Sequence, residues 1–296
     1  MDGAEWSLLI LLSVLWGGAF FFVGVALKEL PPLTIVLARV AIAGLMLLPV
    51  FWFYGHRLPG TFRAWVPFFV MGLLNNVLPF SLLNAGQTQI TVGLTSIINA
   101  MTPLFTVVVM ASFGEERLTA NRIVGVLLGV AGVAILSGFD GTMSVGQIFG
   151  IGLCLAATLS YGFAALWGRR HLSGVPPLKS ATCQLICSSF IMLLIVAVID
   201  QPWTLAAPSQ GTWFSLIGLA FFGTAIAYIV FFQILVRAGA SNVMLVTLLI
   251  PVSALMLGNF FLDEAIRTQE IVGAIVIGSG LLFIDGRVFK FARRAR

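Results

Sequence analysis

The sequence predicts an all-α integral membrane protein of ten transmembrane helices, arranged as two inverted five-helix repeats with both termini in the cytoplasm. Three observations carry this prediction: an apolar composition, an internal repeat and an uneven distribution of basic residues. Of the 296 residues, 59% are hydrophobic and only 9% are charged. A soluble globular domain carries roughly 25% charged residues, so the composition leaves almost no mass for one.

Ten apolar stretches are long enough to cross a bilayer, which requires about 20 mainly apolar residues. The predicted spans are residues 5–27, 33–54, 64–86, 91–113, 119–138, 146–168, 177–199, 211–236, 239–262 and 268–287. The breaks between spans 3 and 4 and between spans 8 and 9 are short, so each of these pairs should form a tight helical hairpin. The residues before span 1 are acidic, and the apolar run after them is long enough to span, so no cleavable signal peptide is expected.

The second half of the sequence repeats the first. From both Pro103 and Pro251, an acidic pair follows after 12 residues, and glycines follow after 22, 29 and 35 residues. We therefore predict two repeats, residues 1–140 and 146–296. Since each copy holds five spans, an odd number, the second copy must enter the membrane from the opposite side. Inverted repeats of this kind are a common way for secondary transporters to build a midplane site that either face can reach.

The basic residues indicate the orientation of the spans. With the amino terminus in the cytoplasm, thirteen basic residues lie on the cytoplasmic side and only Lys28 and Arg267 lie on the other. Cytoplasmic loops carry an excess of Lys and Arg, so both termini are expected there. The same distribution explains the net charge of +5, because basic residues in cytoplasmic loops orient the protein in the membrane. The expected partner is therefore the lipid bilayer, and no nucleic acid is expected.

Several residues at particular places in the spans resemble a known family. They are Trp16-Gly17 in span 1, Pro31-Pro32 before span 2, Arg39 followed by small residues, Pro103 and Pro251 with the acidic pairs after them, and the glycines of spans 5 and 10. They resemble the drug/metabolite transporter superfamily, specifically its ten-span EamA-type exporters, along essentially the whole chain. The resemblance implies a multi-pass protein of the bacterial inner membrane that exports amino acids and related metabolites. Within that superfamily, the chain is similar to the aromatic amino acid exporters often called YddG-like.

Uncharged polar residues inside the spans are candidates for binding a substrate. Asn76 lies in the middle of span 3, and Asn99 lies four residues before Pro103 in span 4. Amides in hydrocarbon need partners, so these side chains should face the protein interior or water. A proline frees a backbone carbonyl one turn earlier, so Asn76 near Pro79 and Asn99 near Pro103 offer donors and acceptors to the charged ends of an amino acid. Each asparagine alone could equally serve to join helices.

Aromatic side chains complete the candidate site. A pocket of rings and a few amides suits an amino acid with an aromatic or other apolar side chain. The predicted substrate-binding residues are Trp16, Phe20, Asn76, Phe80, Asn99, Tyr161 and Tyr228. Any one of these rings could instead be an ordinary packing or lipid-facing residue. The central prolines Pro79, Pro103 and Pro251 are the predicted hinges for alternating access.

Arg39 is the one charged residue deep within a span. It lies about seven residues into span 2, which corresponds to ~10 Å at the rise of an α-helix. It is a candidate contact for a substrate carboxylate. Snorkelling towards the membrane surface, or hydrogen bonding to nearby carbonyls, are the alternatives.

The alternative function is an integral membrane enzyme acting on a lipid-linked substrate. Such an enzyme would need paired carboxylates, clustered histidines or a Ser/His/Asp set near a membrane face. The acidic pairs are the only candidates, and they recur once on each side, which suits a structural role better. Because every acidic residue lies in a loop or at a span end, carboxylate-based proton coupling is disfavoured. We expect a non-enzymatic, monomeric transporter of a small molecule, without cofactor or metal, whose three cysteines are small buried residues.

Overall fold

The structure is a computed structural model that describes residues 3–136, 143–238, 243 and 245–285. Seven helices in these ranges are long and apolar enough to cross a membrane, and three shorter helices are apolar. In chain order the ten are α1 (Gly3–Ala26), α2 (Pro32–Phe53), α3 (Phe62–Gln87), α4 (Val92–Ser112), α5 (Ala120–Leu136), α6 (Val145–His171), α7 (Pro177–Ile199), α8 (Gln210–Ala238), α9 (Val246–Leu262) and α10 (Thr268–Asp285). The described residues contain no β-strand, so the predicted all-helical membrane class is confirmed.

Parts of the predicted spans fall outside these ranges. The ends of predicted spans 5 and 10, the beginning of span 9 and most of the turn between the repeats lie outside the described residues. The same is true of the basic carboxyl-terminal segment and of the last glycine in each repeat, Gly138 and Gly286.

Three of the helices are irregular near their centres. A π-helical turn at Leu73–Val77 interrupts α3 just before Pro79, and another at Phe221–Ile226 interrupts α8. The helix α4 is broken between Asn99 and Thr102, and Pro103 is the second residue of its second half. A proline lacks the N–H that would bond to the preceding turn, which explains the irregularities in α3 and α4. The predicted hinge Pro251, in contrast, lies inside the continuous helix α9.

The contacts between helices recur between the two halves of the chain. Helix α5 packs on α10, and α2 packs on α7. Helix α1 packs on α8 and α9, just as α6 packs on α3 and α4. Helix α3 packs on α7, just as α8 packs on α2. The counterpart of each helix is the one five places along the chain, so that α1 corresponds to α6 and α5 to α10. When every helix is replaced by its counterpart, each of these contacts becomes a contact that the structure contains.

The contact between α5 and α10 is reciprocal at the level of single residues. A Cβ atom added to Gly125 would lie 2.6 Å from the carbonyl oxygen of Gly280, and one added to Gly132 would lie 3.0 Å from that of Gly273. In the sequence repeat, Gly125 corresponds to Gly273 and Gly132 to Gly280. The crossed pairing means that the two helices run antiparallel and meet through the same surface on each, as in a two-fold symmetric interface.

Candidate functional site

A cluster of amide and hydroxyl groups joins α3, α7 and α8 near the middle of the helices. Asn76 is completely buried. Its Nδ2 donates a hydrogen bond to Ser188 Oγ at 3.0 Å, and its Oδ1 accepts one from the Tyr228 hydroxyl at 3.3 Å. The neighbouring Asn75 donates to Gln184 Oε1 at 3.1 Å. Polar groups in an apolar interior are stable only when they are paired, and here three helices supply the partners.

Arg39 of α2 lies beside this cluster and is about 9% exposed. Its Nε donates to Thr224 Oγ1 at 3.0 Å, and its Nη2 donates to the Gly223 carbonyl oxygen at 3.4 Å. Its guanidinium carbon lies 3.7 Å from the centre of the Phe80 ring, a cation–π contact. The side chain is therefore held within the protein by the π-helical turn of α8, and it does not snorkel.

The π-helical turns supply carbonyl oxygens to this region. Thr224, which accepts from Arg39, in turn donates to the Leu219 carbonyl oxygen at 3.2 Å. In α3, the Leu74 carbonyl oxygen accepts a hydrogen bond from Ser160 Oγ at 2.7 Å. Such turns are rare and frequently lie at functional sites, because they re-aim side chains and release backbone acceptors.

The ring of Phe80, which covers Arg39, belongs to an apolar cluster against which Tyr161 and Tyr228 both pack. Tyr161 also packs against the two largest apolar clusters, one around α4 and α6 and the other around α2 and α7. The structure therefore connects four predicted site residues: Phe80 covers Arg39, Tyr161 and Tyr228 pack against the apolar cluster that contains Phe80, and Asn76 bonds to Tyr228.

The two aromatic candidates of α1 contact a further apolar cluster. The Trp16 ring is 5.7 Å from the ring of Phe231 in α8, and Trp16 and Phe20 both pack against the apolar cluster of α1, α8 and α9. Phe20 also packs against the cluster of α4 and α6. Its carbonyl oxygen accepts a hydrogen bond from Gln87 Nε2 at 2.8 Å. No hydrogen bond or ring contact among the described residues links Trp16 to Arg39 or Asn76.

Asn99 differs from the other amides because its Oδ1 is buried and has no hydrogen-bond partner in the described part of the chain. It is the last residue before the break in α4, and its backbone carbonyl oxygen accepts from Thr102 Oγ1 at 2.7 Å. An unpaired buried acceptor costs about 1–3 kcal/mol. No described residue offsets this cost for Asn99 Oδ1.

Asn99 and Arg39 lie at a similar depth. Each is seven residues after the first residue of its helix, Val92 for α4 and Pro32 for α2. Both helices begin at the same end of the bundle. Asn84 Nδ2, near the end of α3, donates to the carbonyl oxygen of Pro32, so the end of α3 lies beside the start of α2; the distance is 3.2 Å. A short link joins α3 to α4, so α4 starts at that end as well. Both residues are thus about 10 Å from that end.

An apolar crevice of about 290 Å³ lies elsewhere, between α4, α9 and α10. Pro251 lines it together with Ile97, Leu248 and Leu255. None of the predicted substrate-binding residues contributes to its walls, so it is separate from the polar cluster.

Several residues of the cluster were not predicted. Gln184 and Ser188 in α7 and Thr224 in α8 are its missing partners. Gln184 could have been found, because a glutamine in the middle of an apolar span is subject to the same argument as an asparagine. Within the described ranges, no group of three or more His, Cys, Asp or Glu side chains is arranged to hold a metal ion. The cysteines Cys154, Cys183 and Cys187 are free and buried.

The first acidic pair joins the loop after α4 to the end of α6. Glu115 lies 2.7 Å from Arg170 and 3.4 Å from Arg169, and Glu116 lies 2.7 Å from Arg122. The hydrogen bond from Arg170 lowers the pKa of the Glu115 carboxyl below its ordinary value. These carboxylates are engaged in holding helix ends together.

The second acidic pair lies at the beginning of α4. Glu264 accepts a hydrogen bond from the Val92 N–H at 2.9 Å and one from the Gly93 N–H at 3.5 Å. A carboxylate at this position satisfies free N–H groups and interacts favourably with the helix dipole. Glu264 therefore attaches the loop between α9 and α10 to the first turn of α4.

Apolar helices that bury a polar cluster define a multi-pass membrane protein. The model of the EamA-like transporter family matches the chain twice, over residues 5–138 and 148–285. The chain belongs to this family, so the resemblance to the drug/metabolite transporter superfamily is confirmed.

Relatives with this organisation are found in both archaea and bacteria. An uncharacterized transporter of Archaeoglobus fulgidus is 26% identical, with 95% of this chain and 98% of the relative covered. The uncharacterized transporter YvbV of Bacillus subtilis is 28% identical over 94% and 90% of the two chains. The uncharacterized inner membrane transporter YedA of Escherichia coli K12 is 26% identical over 95% and 91%. A solved crystal structure matches all of both chains with a TM-score of 0.67 at 17% identity, which shows that the fold is shared.

Proposed function

We propose that the protein is a secondary transporter that exports amino acids with aromatic or other apolar side chains, and related metabolites, across the bacterial inner membrane. The observation that carries this proposal is the unpaired Oδ1 of Asn99 at the same depth as the buried guanidinium of Arg39. A protein that only needed to fold would gain stability by pairing or removing such an acceptor. A site that receives a ligand needs it free.

The substrate class follows from the groups around Arg39. The Phe80 ring covers its guanidinium, the Tyr228 hydroxyl bonds to Asn76, and Tyr161 and Tyr228 pack against the apolar cluster that contains Phe80. Burying apolar surface contributes roughly 25 cal/mol per Å², so an aromatic side chain should gain more here than a small one. The Asn99 acceptor suits the ammonium group of an amino acid.

For the architecture, we propose ten spans in two inverted repeats, residues 1–140 and 146–296, with both termini in the cytoplasm. The three short helices α5, α9 and α10 would join the seven longer ones as spans. The crossed contacts between Gly125 and Gly280 and between Gly132 and Gly273 support this arrangement. They require α5 and α10 to run in opposite directions, and counterpart helices do so only when one repeat is inverted. A reporter fused after Arg296 that is active only in the periplasm would overturn the topology.

Alternating access is proposed to proceed by rocking of the two repeats or their hairpins. Pro79 and Pro103 follow irregular turns, and Pro251 lines the crevice between α4, α9 and α10. Replacing Pro103 or Pro251 with alanine should slow transport more than it weakens binding. Full transport rates in both variants would count against these prolines as hinges.

Uptake into liposomes tests the proposed function directly. Purified protein is reconstituted and loaded with unlabelled phenylalanine, and the entry of labelled phenylalanine is followed against protein-free liposomes. We expect labelled phenylalanine to exchange with internal phenylalanine, and to exchange poorly when the liposomes contain glycine instead. An absence of protein-dependent exchange for every aromatic and apolar amino acid tested would refute the proposal. The membrane-enzyme alternative gains no support, because three of the four carboxylates in the acidic pairs, those of Glu115, Glu116 and Glu264, are bonded to arginines or to the α4 helix end.

A further inference from the structure

Arg39 carries a positive charge inside the protein without a negative partner. No Asp or Glu in the described part of the chain forms an ion pair with it. Removing a charge from water costs several kcal/mol, and proteins normally offset this with an opposite charge.

The groups that hold the guanidinium leave part of it unused. Thr224 accepts from Nε, the Gly223 carbonyl oxygen accepts from Nη2, and the Phe80 ring covers one face. All three are neutral. No group among the described residues accepts a hydrogen bond from Nη1. A guanidinium has five N–H donors in a fixed plane, so this one is oriented by the protein and still has donors to offer.

We propose that Arg39 binds the carboxylate of the transported molecule, so that the site requires a carboxylate and discriminates against amines that lack one. This inference rests on the proposed function and specifies what it leaves open, the charge of the substrate. Arginine binds carboxylates through charge-assisted hydrogen bonds, and the arriving anion supplies the missing opposite charge. The bond from the ammonium group to the neutral Asn99 oxygen is charged on one side only, whereas the contact between the carboxylate and Arg39 is charged on both sides.

Two analogues of phenylalanine separate the carboxylate from the ammonium group. The compound 3-phenylpropionate keeps the ring and the carboxylate, and 2-phenylethylamine keeps the ring and the ammonium. Binding is measured on the purified full-length protein at neutral pH by the shift in unfolding temperature as each ligand is titrated, since a ligand stabilises the state it binds. We expect 3-phenylpropionate to stabilise the protein and 2-phenylethylamine to give at least about tenfold weaker binding, which corresponds to about 1.4 kcal/mol.

Competition with labelled phenylalanine exchange keeps the two proposals distinct. If exchange occurs and the amine inhibits it as well as the acid does, the carboxylate inference is wrong and the transporter proposal stands. If phenylalanine is not exchanged but the acid still binds and the amine does not, the transporter proposal fails in its substrate and the carboxylate site stands. Equal binding of both analogues to the wild-type protein overturns the inference whatever the variants do.

Variants test whether Arg39 itself makes the contact. Arg39→Gln should weaken 3-phenylpropionate binding at least about tenfold and leave the weak amine binding unchanged, whereas a purely structural role would reduce both. Arg39→Lys keeps the charge without the planar donors and should recover part of the loss. The matched control is Lys28→Gln, which removes an exposed cation from the loop after α1 and should change neither ligand. Unchanged acid binding in Arg39→Gln would overturn the assignment.

Discussion

The replacement Asn99→Ala separates stability from transport. In the wild-type protein the Asn99 Oδ1 atom is buried and unpaired, a condition that costs about 1–3 kcal/mol. Alanine removes that atom and is the better helix former, by about 0.7 kcal/mol at most. Loss of the remaining side-chain contacts offsets part of the gain. We therefore expect the variant to be as stable as the wild type, or more stable by up to about 2 kcal/mol, while it transports poorly.

Asn76→Ala is the matched control, because it removes the same side chain from a paired environment. Asn76 bonds to Ser188 at 3.0 Å and to Tyr228 at 3.3 Å. Each neutral hydrogen bond contributes about 0.5–1.5 kcal/mol, and the abandoned phenol adds a desolvation cost. This variant should lose about 1–3 kcal/mol. Asn76→Ala should thus lower the unfolding temperature, whereas Asn99→Ala should leave it unchanged or raise it.

The assay combines unfolding in detergent, followed by intrinsic tryptophan fluorescence, with phenylalanine exchange in liposomes. If Asn99 accepts the substrate ammonium, its loss should reduce exchange about tenfold or more, since a hydrogen bond to a charged group contributes about 1.5–3 kcal/mol. The reasoning is refuted if Asn99→Ala unfolds as early as Asn76→Ala. It is equally refuted if Asn99→Ala is stable and exchanges phenylalanine at the wild-type rate.

Three further predictions concern the scaffold. Gly125→Val should destabilise the protein by about 1–3 kcal/mol, because a Cβ there lies 2.6 Å from the rigid Gly280 carbonyl oxygen. The control Gly152→Val should not, because a Cβ at Gly152 meets nothing within 4 Å. Equal unfolding temperatures in the two variants would contradict this prediction. Glu264→Gln should cost about 0.3–1 kcal/mol in low salt through the α4 helix dipole, and an unchanged unfolding temperature would argue against it. Finally, the pKa of Glu115, which is bonded to arginine, is lowered. Its ionised carboxylate therefore stabilises the protein fully at a pH above the ordinary pKa of glutamate, and this contribution is lost as the pH falls through the lowered pKa. The difference in unfolding temperature between wild type and Glu115→Gln should shrink at acidic pH, and a constant difference would exclude the ionised pair as its cause.

The buried position of the polar candidates could be predicted from local chemistry. An amide or a guanidinium in the middle of an apolar span must find a partner inside the protein, whatever that partner is. Asn76 and Arg39 are indeed buried. The same argument would have found Gln184. Of the predicted hinges, Pro79 and Pro103 lie next to interruptions of α3 and α4, whereas Pro251 lies inside a continuous helix.

The partners of these groups could not be predicted. Thr224, which orients Arg39, is 185 residues away in the chain, and Ser188 is 112 residues from Asn76. The π-helical turn of α8 has no proline to announce it. The ring contact between Trp16 and Phe231 of α8 could not be predicted either. Nearly every face of these helices is apolar, so periodicity does not indicate which neighbour a ring meets.

The sequence by itself determined that this chain is an all-helical membrane protein of the EamA-like transporter family, because apolar runs, repeat spacing and the residues at fixed places within them are properties of the chain alone. The tertiary structure decided which deep polar groups are satisfied and which are not. Asn76 has its partners from α7 and α8, whereas Asn99 and part of the Arg39 guanidinium have none among the described residues. The physical reason is that a hydrogen bond depends on distances of about 3 Å between groups on different helices. Those distances exist only after the helices have packed.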